Sequence, residues 1–184
     1  MFDLRTMTVS WETNVHNGVC HVSFDRQDIK MNKLSVTTLE GHVDVFDMRT
    51  FNNQSGYACS QNAIGKGTVW GCNYLPQNRE IMATNDGSGN IALYKYAYPG
   101  NRVQKDQEGN DIGVAGSLES VCPSQNFSSQ PIMSFNWHPQ KRGLGVLVSL
   151  DQQIKIAIVT KLETIYNSCV LKKVKTHKNE PSIR

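Results

Sequence analysis

Histidine, cysteine, arginine and lysine carry most of the chemistry this chain could offer. Its histidines are His16, His21, His42, His138 and His177, and its cysteines are Cys20, Cys59, Cys72, Cys122 and Cys169. A zinc site needs such residues in short, repeated spacings that turns can converge. Neither set shows that spacing with itself or with the other, and no Cys-x-x-Cys occurs. An odd number of irregularly spaced cysteines fits reduced thiols in the cytosol better than a disulfide framework. "GKGT" at 65–68 hints at a phosphate loop, but that chemistry needs GxxxxGK[ST] between a strand and a helix, and here the stretch precedes a strand. No Gly-x-Ser-x-Gly nucleophile elbow is present. The residues nominate no catalytic group, metal or cofactor, and the expectation is a protein that is not an enzyme.

Charge is the remaining chemistry. The net charge of +3 is concentrated: residues 161–184 carry about +4 and the other 160 residues about −1. A near-neutral body excludes the broad basic field that binds nucleic acid, and the basic end reads as a solvated tail. No apolar run is long enough to span a bilayer, and "MFDLRTMTVSWET" does not read as a signal peptide. These features predict a cytoplasmic protein with no membrane and no nucleic-acid partner. The sequons at Asn53 and Asn126 then carry little weight. At 184 residues, with 39% hydrophobic residues, the chain suits one domain plus a tail.

The elements that hold these side chains follow from a repeat. "YLPQNRE" (74–80) returns as "WHPQKRG" (137–143). Extended backwards, "TVWGCNYLP" (68–76) aligns with "PIMSFNWHP" (131–139) and with "GVCHVSFDR" (18–26), so Val19, Val22 and Phe24 match Val69, Cys72 and Tyr74, and then Ile132, Phe135 and Trp137. Short runs of β-branched and aromatic residues read as strands, stopped by Pro76 and Pro139. A second strand follows each at 33–39, 80–85 and 144–150, and a third at 42–47, 90–96 and 153–159, with Gly- or Asp-containing turns between them. Fourth strands are expected at 56–61 and within 117–127. "FDLRT" (2–6) nearly repeats "FDMRT" (46–50), as if the chain opened inside a third strand.

Four-stranded antiparallel units of about this length point to an all-β, partial WD-repeat β-propeller of about three blades. The units are roughly 7–50, 51–98 and 117–160, with an insert at 98–116 and a basic tail at 163–184. In such an arrangement the first-to-second and third-to-fourth connections share one face. That places Arg79, Glu80, Lys141, Arg142 and, from the insert, Arg102 and Lys105 together as candidate partner-binding residues.

The stretches "WETNVHNGVC", "FDRQDIKMNKL", "LEGHVDVFDMRT", "GTVW", "LPQNRE", "GNDIGVAGS" and "IVTKL" carry a closer likeness. Over residues 2–162 they resemble the C-terminal half of the Monad family of WD-repeat proteins, also described as dynein axonemal assembly factors. The resemblance implies a seven-bladed propeller acting as an adaptor. It implies protein partners among RuvB-like ATPase and prefoldin-like co-chaperone components and axonemal dynein chains, in cytoplasmic preassembly of dynein arms in ciliated cells, and a link to apoptosis. Two departures accompany it. The general WD-repeat signature is weak: Gly41-His42 lies in the wrong turn, and Phe46-Asp47, Tyr94-Lys95 and Ala157-Ile158 replace Trp-Asp. Only three units and the end of a fourth are present, so the chain reads as a truncated form exposing the apolar sides of its terminal blades, or as a structural remnant or generic interaction module without independent activity. "TIYNSCVL" (164–171) is the candidate to supply a missing strand.

Overall fold

The computed structural model describes residues 1–15, 18–25, 32–65, 67–105, 107–160, 162 and 170–174. The described residues form strands and turns with no helix, and so none long and apolar enough to cross a membrane. A short antiparallel pair, β1 (Phe2–Asp3) and β2 (Thr8–Val9), opens the chain. Here the structure differs from the reading of "FDLRT" as part of a third strand: Phe2 pairs with Val9, not with a four-stranded sheet.

Three four-stranded antiparallel sheets follow. The first is β3 (Val19–Phe24), β4 (Lys33–Thr38), β5 (His42–Asn52) and β6 (Gly56–Ala63), in chain order. The second starts with β7 (Val69–Leu75), β8 (Asn78–Asp86) and β9 (Asn90–Ala97). After a separate hairpin of β10 (Val103–Lys105) and β11 (Asp111–Gly113), it is completed by β12 (Ser117–Asn126). The third is β13 (Ile132–Trp137), β14 (Leu144–Ser149), β15 (Gln153–Thr160) and β16 (Val170–Val174). The fourth strands expected near 56–61 and 117–127 are β6 and β12. The last one is shifted from the expected stretch: Thr160 pairs with Val170 and Ile156 with Val174, within the segment read as tail. Residues 163–169 lie outside the described residues.

Local chemistry explains the turns. Gly41 (φ 83°) and Gly89 (φ 79°) take left-handed backbone angles that cost glycine little. Asp86 Oδ1 accepts the backbone N–H groups of Ser88 (2.9 Å) and Asn90 (2.8 Å), closing the β8–β9 turn.

The sheets stack through their first strands. β7 lies against β3 and β4, and β13 against β7 and β8. Val43, Val45, Val69, Cys72, Tyr74, Met82 and Tyr96 fill the first joint. Leu75, Ile81, Ala83, Leu93, Phe135, Trp137 and Leu147 belong to the second. Each such fully buried apolar side chain contributes roughly 1.5–3 kcal/mol. The second sheet is covered on both faces, so Ile81 to Asn85 are all buried, whereas β14 and β15 alternate buried and exposed because one face of the third sheet is open. The outer part of the first sheet is covered from the N-terminal segment. Trp11 meets Phe46 edge-on (centroids 5.4 Å apart) and Tyr57 (5.0 Å). Among the described residues no sheet closes on itself.

Candidate functional site

The residue patterns nominated cations at the sheet ends, and the structure divides them into two kinds. Arg79, at the start of β8, turns inward: its Nε (3.0 Å) and Nη2 (2.8 Å) donate to Asp25 Oδ2, joining the second sheet to the first. Asp25 also accepts Lys33 Nζ (3.2 Å) and the Asn32 backbone N–H (3.1 Å). Burial pushes the Asp25 carboxyl up, but these donors outweigh it and hold the group below its ordinary value. Lys33 is fully buried, donates to Tyr98 Oη (2.6 Å), and lies 4.8–5.7 Å from the ring centres of Tyr74, Tyr96 and Tyr98. Desolvation and ring faces together make this a cation–π cage.

Tyr98 is also the anchor of the 98–116 insert. Arg49, forked onto Asp47 (3.0 and 3.1 Å), stacks over its ring at 4.9 Å, and exposed Arg102 approaches it at 5.8 Å. The insert is folded back rather than left as an open loop. Asn52 Nδ2 donates to Asp111 O (2.8 Å), and Gly113 sits close against Thr50. Lys105 is exposed at the end of β10.

The other nominated residues remain at the surface. Glu80 and Lys95 form a loose pair at 3.9 Å, a separation at which a partly exposed pair contributes little. Lys141 and Arg142 are exposed in the β13–β14 turn. That turn is closed by the backbone N–H groups of Gln140 (3.1 Å) and Lys141 (2.9 Å) donating to His138 Nδ1. The two Pro-Gln turns meet, because Gln77 Nε2 donates to Pro139 O (2.8 Å). Thus Arg79, Glu80, Lys141 and Arg142 stand at the same end of adjacent sheets, with Arg79 used in the joint.

Sequence reasoning missed Asp25, Lys33 and Tyr98, and a second polar knot at the third sheet. There Asp151 accepts from Lys155, from Ser149 and from Ser128 Oγ (2.9 Å). The Lys155 and Ser149 contacts, the first being largest, hold the Asp151 carboxyl well below the usual carboxylate range. A signal for one member was present: Lys155 shares its strand phase with Ala157 and Val159, the buried phase of β15.

The thiols and imidazoles sit in structural surroundings. Burial pushes Cys72 and Cys59 up to about 12, so both are protonated at neutral pH. Burial lowers His21, whose Nδ1 accepts the Cys72 backbone N–H at 3.5 Å. His16, Lys66, Cys169 and His177 lie outside the described residues.

One concavity stands on the open face of the third sheet. It measures about 360 Å³ and is lined by Trp137, His138, Pro139, Leu144, Gly145, Val146 and Ile156. The turn that carries Lys141 and Arg142 connects two of its walls.

No family model matches the chain. Individual relatives do. It is 50% identical over 165 residues to dynein axonemal assembly factor 10 of Xenopus laevis, 51% identical over 165 residues to that of Homo sapiens, and 49% identical over 166 residues to that of Chlamydomonas reinhardtii. The chain is homologous to these assembly factors. The match covers 90% of this chain and 46% of each relative, so the chain spans about half the length of the dynein axonemal assembly factor 10 proteins it resembles.

Proposed function

We propose that this chain is a non-enzymatic scaffold element in the cytoplasmic preassembly of axonemal dynein arms. The observation that carries the reading is identity near 50% along nine-tenths of the chain with proteins named for dynein axonemal assembly. Three stacked four-stranded antiparallel sheets are what blades of a WD-repeat propeller would look like, and we extend the reading to part of a seven-bladed ring of that kind. The exposed turns with Lys141 and Arg142 and the tethered hairpin with Arg102 and Lys105 are the surfaces we assign to partners. RuvB-like ATPases, prefoldin-like co-chaperone subunits and axonemal dynein chains are the partners this reading names, and the ciliary setting follows from them.

Affinity purification of the tagged chain from ciliated cells tests it. Recovery of dynein chains or of those co-chaperone subunits, lost in a variant with Lys141, Arg142, Arg102 and Lys105 changed to Glu, is the expected result. Recovery of neither class sinks the reading. A second reading, a folded module without independent activity, is favoured by the open apolar face of the third sheet. It predicts a cooperative, protease-resistant β domain that captures no such partner.

A further inference from the structure

The charges around Tyr98 do not balance. Lys33, Arg49 and Arg102 lie 4.8, 4.9 and 5.8 Å from the centre of its ring, and Arg79 joins Lys33 on Asp25. Only Asp25 and Asp47 are paired with these cations. Four positive charges against two negative leave a surplus of two. The surplus faces outward. The side chains of both carboxylates are 0% exposed, those of Arg49 and Arg79 are 23% exposed, and Arg102 is exposed. An approaching anion therefore meets guanidinium groups before carboxylates, at a partly buried place where salt screens less than in open solvent.

The fold fixes this arrangement. Arg49 sits on β5, and Tyr98 directly follows β9. Arg102 stands at the base of the insert hairpin, where its carbonyl accepts the Val114 backbone N–H (2.8 Å). Its own fork of donors is taken up by no described residue. Arg49 spends Nε and Nη2 on Asp47, which leaves Nη1. The described carboxylates of the insert lie farther along it: Asp111 pairs in register with Lys105, and Glu108 is in the β10–β11 turn. The hairpin thus puts a cation at its base and its acids toward the tip. Its outer edge is open too. β11 lies against β5 and β6, while β10 pairs with β11 alone among the described strands. That edge begins one residue after Arg102, beside Val103, which is 52% exposed.

A phosphate monoester matches this imbalance better than a carboxylate. It carries about −1.5 to −2 at neutral pH and three acceptor oxygens, and arginine forks are the donors that fit such a group. The unpaired β10 edge offers backbone groups to an extended segment beside it. We propose that Arg102 and Arg49 form a phosphate seat around Tyr98, which takes a phosphorylated serine or threonine on an extended segment of a partner protein paired along β10. Lys33 stays structural, held by Asp25 and Tyr98. The proposal rests on the assignment of the insert to partners made above, but it concerns the purified chain and a probe peptide. Its outcome is therefore separate from the recovery of dynein or co-chaperone subunits.

NMR titration of the 15N-labelled chain tests it. The probe is the acetylated, amidated peptide Gly-Val-phosphoserine-Val-Thr-Gly, with serine and glutamate versions and inorganic phosphate as comparisons. The Nε–Hε signals of Arg102 and Arg49 and the amides of β10 should shift saturably with the phosphopeptide, with a dissociation constant of about 1 mM or tighter. The serine and glutamate peptides should bind at least tenfold more weakly. Inorganic phosphate should move the arginine signals and leave the β10 amides in place. Arg102→Gln should weaken the phosphopeptide tenfold or more, whereas Arg5→Gln, at an exposed cation elsewhere, should not, with the remaining amide spectrum as the folding control. If Arg102→Gln disturbs that spectrum, Arg102→Lys, which keeps the charge and loses the fork, replaces it with the same direction expected. No saturation by about 10 mM phosphopeptide, equal binding of the glutamate peptide, inorganic phosphate binding as tightly as the phosphopeptide, or binding indifferent to Arg102 would overturn the proposal.

Discussion

Lys33 is fully buried beside Asp25, and its setting explains why Arg79 cannot be read as a simple surface anchor. Asp25 serves both cations at once, so removing the carboxylate strands a buried charge. Asp25→Ala should therefore cost about 3–5 kcal/mol in urea denaturation, while Lys33→Met combined with Asp25→Asn should recover much of that loss. A single variant and the double variant of equal stability would contradict this account. The same carboxyl sets a pH dependence. Its folded value lies below the ordinary 3.8, so its contribution is present above the ordinary carboxylate range and is lost as pH falls through the folded value. The stability advantage of the wild type over Asp25→Asn should be constant above about pH 5 and shrink as pH falls from there through the ordinary carboxylate value and below it. Denaturation midpoints measured at each pH would show it, and an advantage that grows toward acid would refute it.

At the scale of the element, the turns carry the strictest requirements. Gly89 has φ 79°, and a Cβ there would stand 2.0 Å from Ser128 O, whose own N–H and that of Phe127 donate to Gly89 O. Gly109, at φ 85° in the β10–β11 turn, meets nothing within 4 Å. Gly109→Ala should therefore cost only the backbone penalty of about 1 kcal/mol, and Gly89→Ala clearly more, because the turn must open as well. Thermal melts of the pair separate the two causes, and equal losses would mean that the Ser128 contact relaxes freely. The hairpin insert behaves as an element for a related reason: Asn52, Thr50 and Tyr98 hold it, so it presents Arg102 and Lys105 in a defined place.

For the whole molecule, the order of burial sets the order of stability. The second sheet is flanked on both faces, β4 and β5 of the first are buried as continuously at 35–38 and 43–47 while β3 is open, and the third keeps one face open. Native-state hydrogen exchange should find the slowest amides in β4, β5, β8 and β9, with protection falling toward β15 and β16. If the third sheet were instead the most protected, its exposed face would have to be covered in solution.

Strand succession was legible in the sequence because its determinants are local. Alternation with a period of two, β-branched and aromatic runs, and Gly, Asp and Pro punctuation lie within a few residues of each other, so β3 to β9 and β12 to β15 fall where the repeat puts them. The candidate site was legible only in part: the Lys141–Arg142 turn stands where the repeat places it, but Arg79's partner lies 54 residues away and Lys33's contact to Tyr98 spans 65. No local pattern encodes which of two similar cations meets a buried carboxylate. The same holds for Trp11, which covers the first sheet, and for Val170–Val174, which pairs with β15 across a connection. Sequence by itself determined the repeating unit and the aromatic that ends each first strand. Only the tertiary structure decided which of those aromatics are covered, since burial is a property of neighbours: among the described residues Tyr74 and Trp137 pack on the sheet before them, and Phe24 is half exposed.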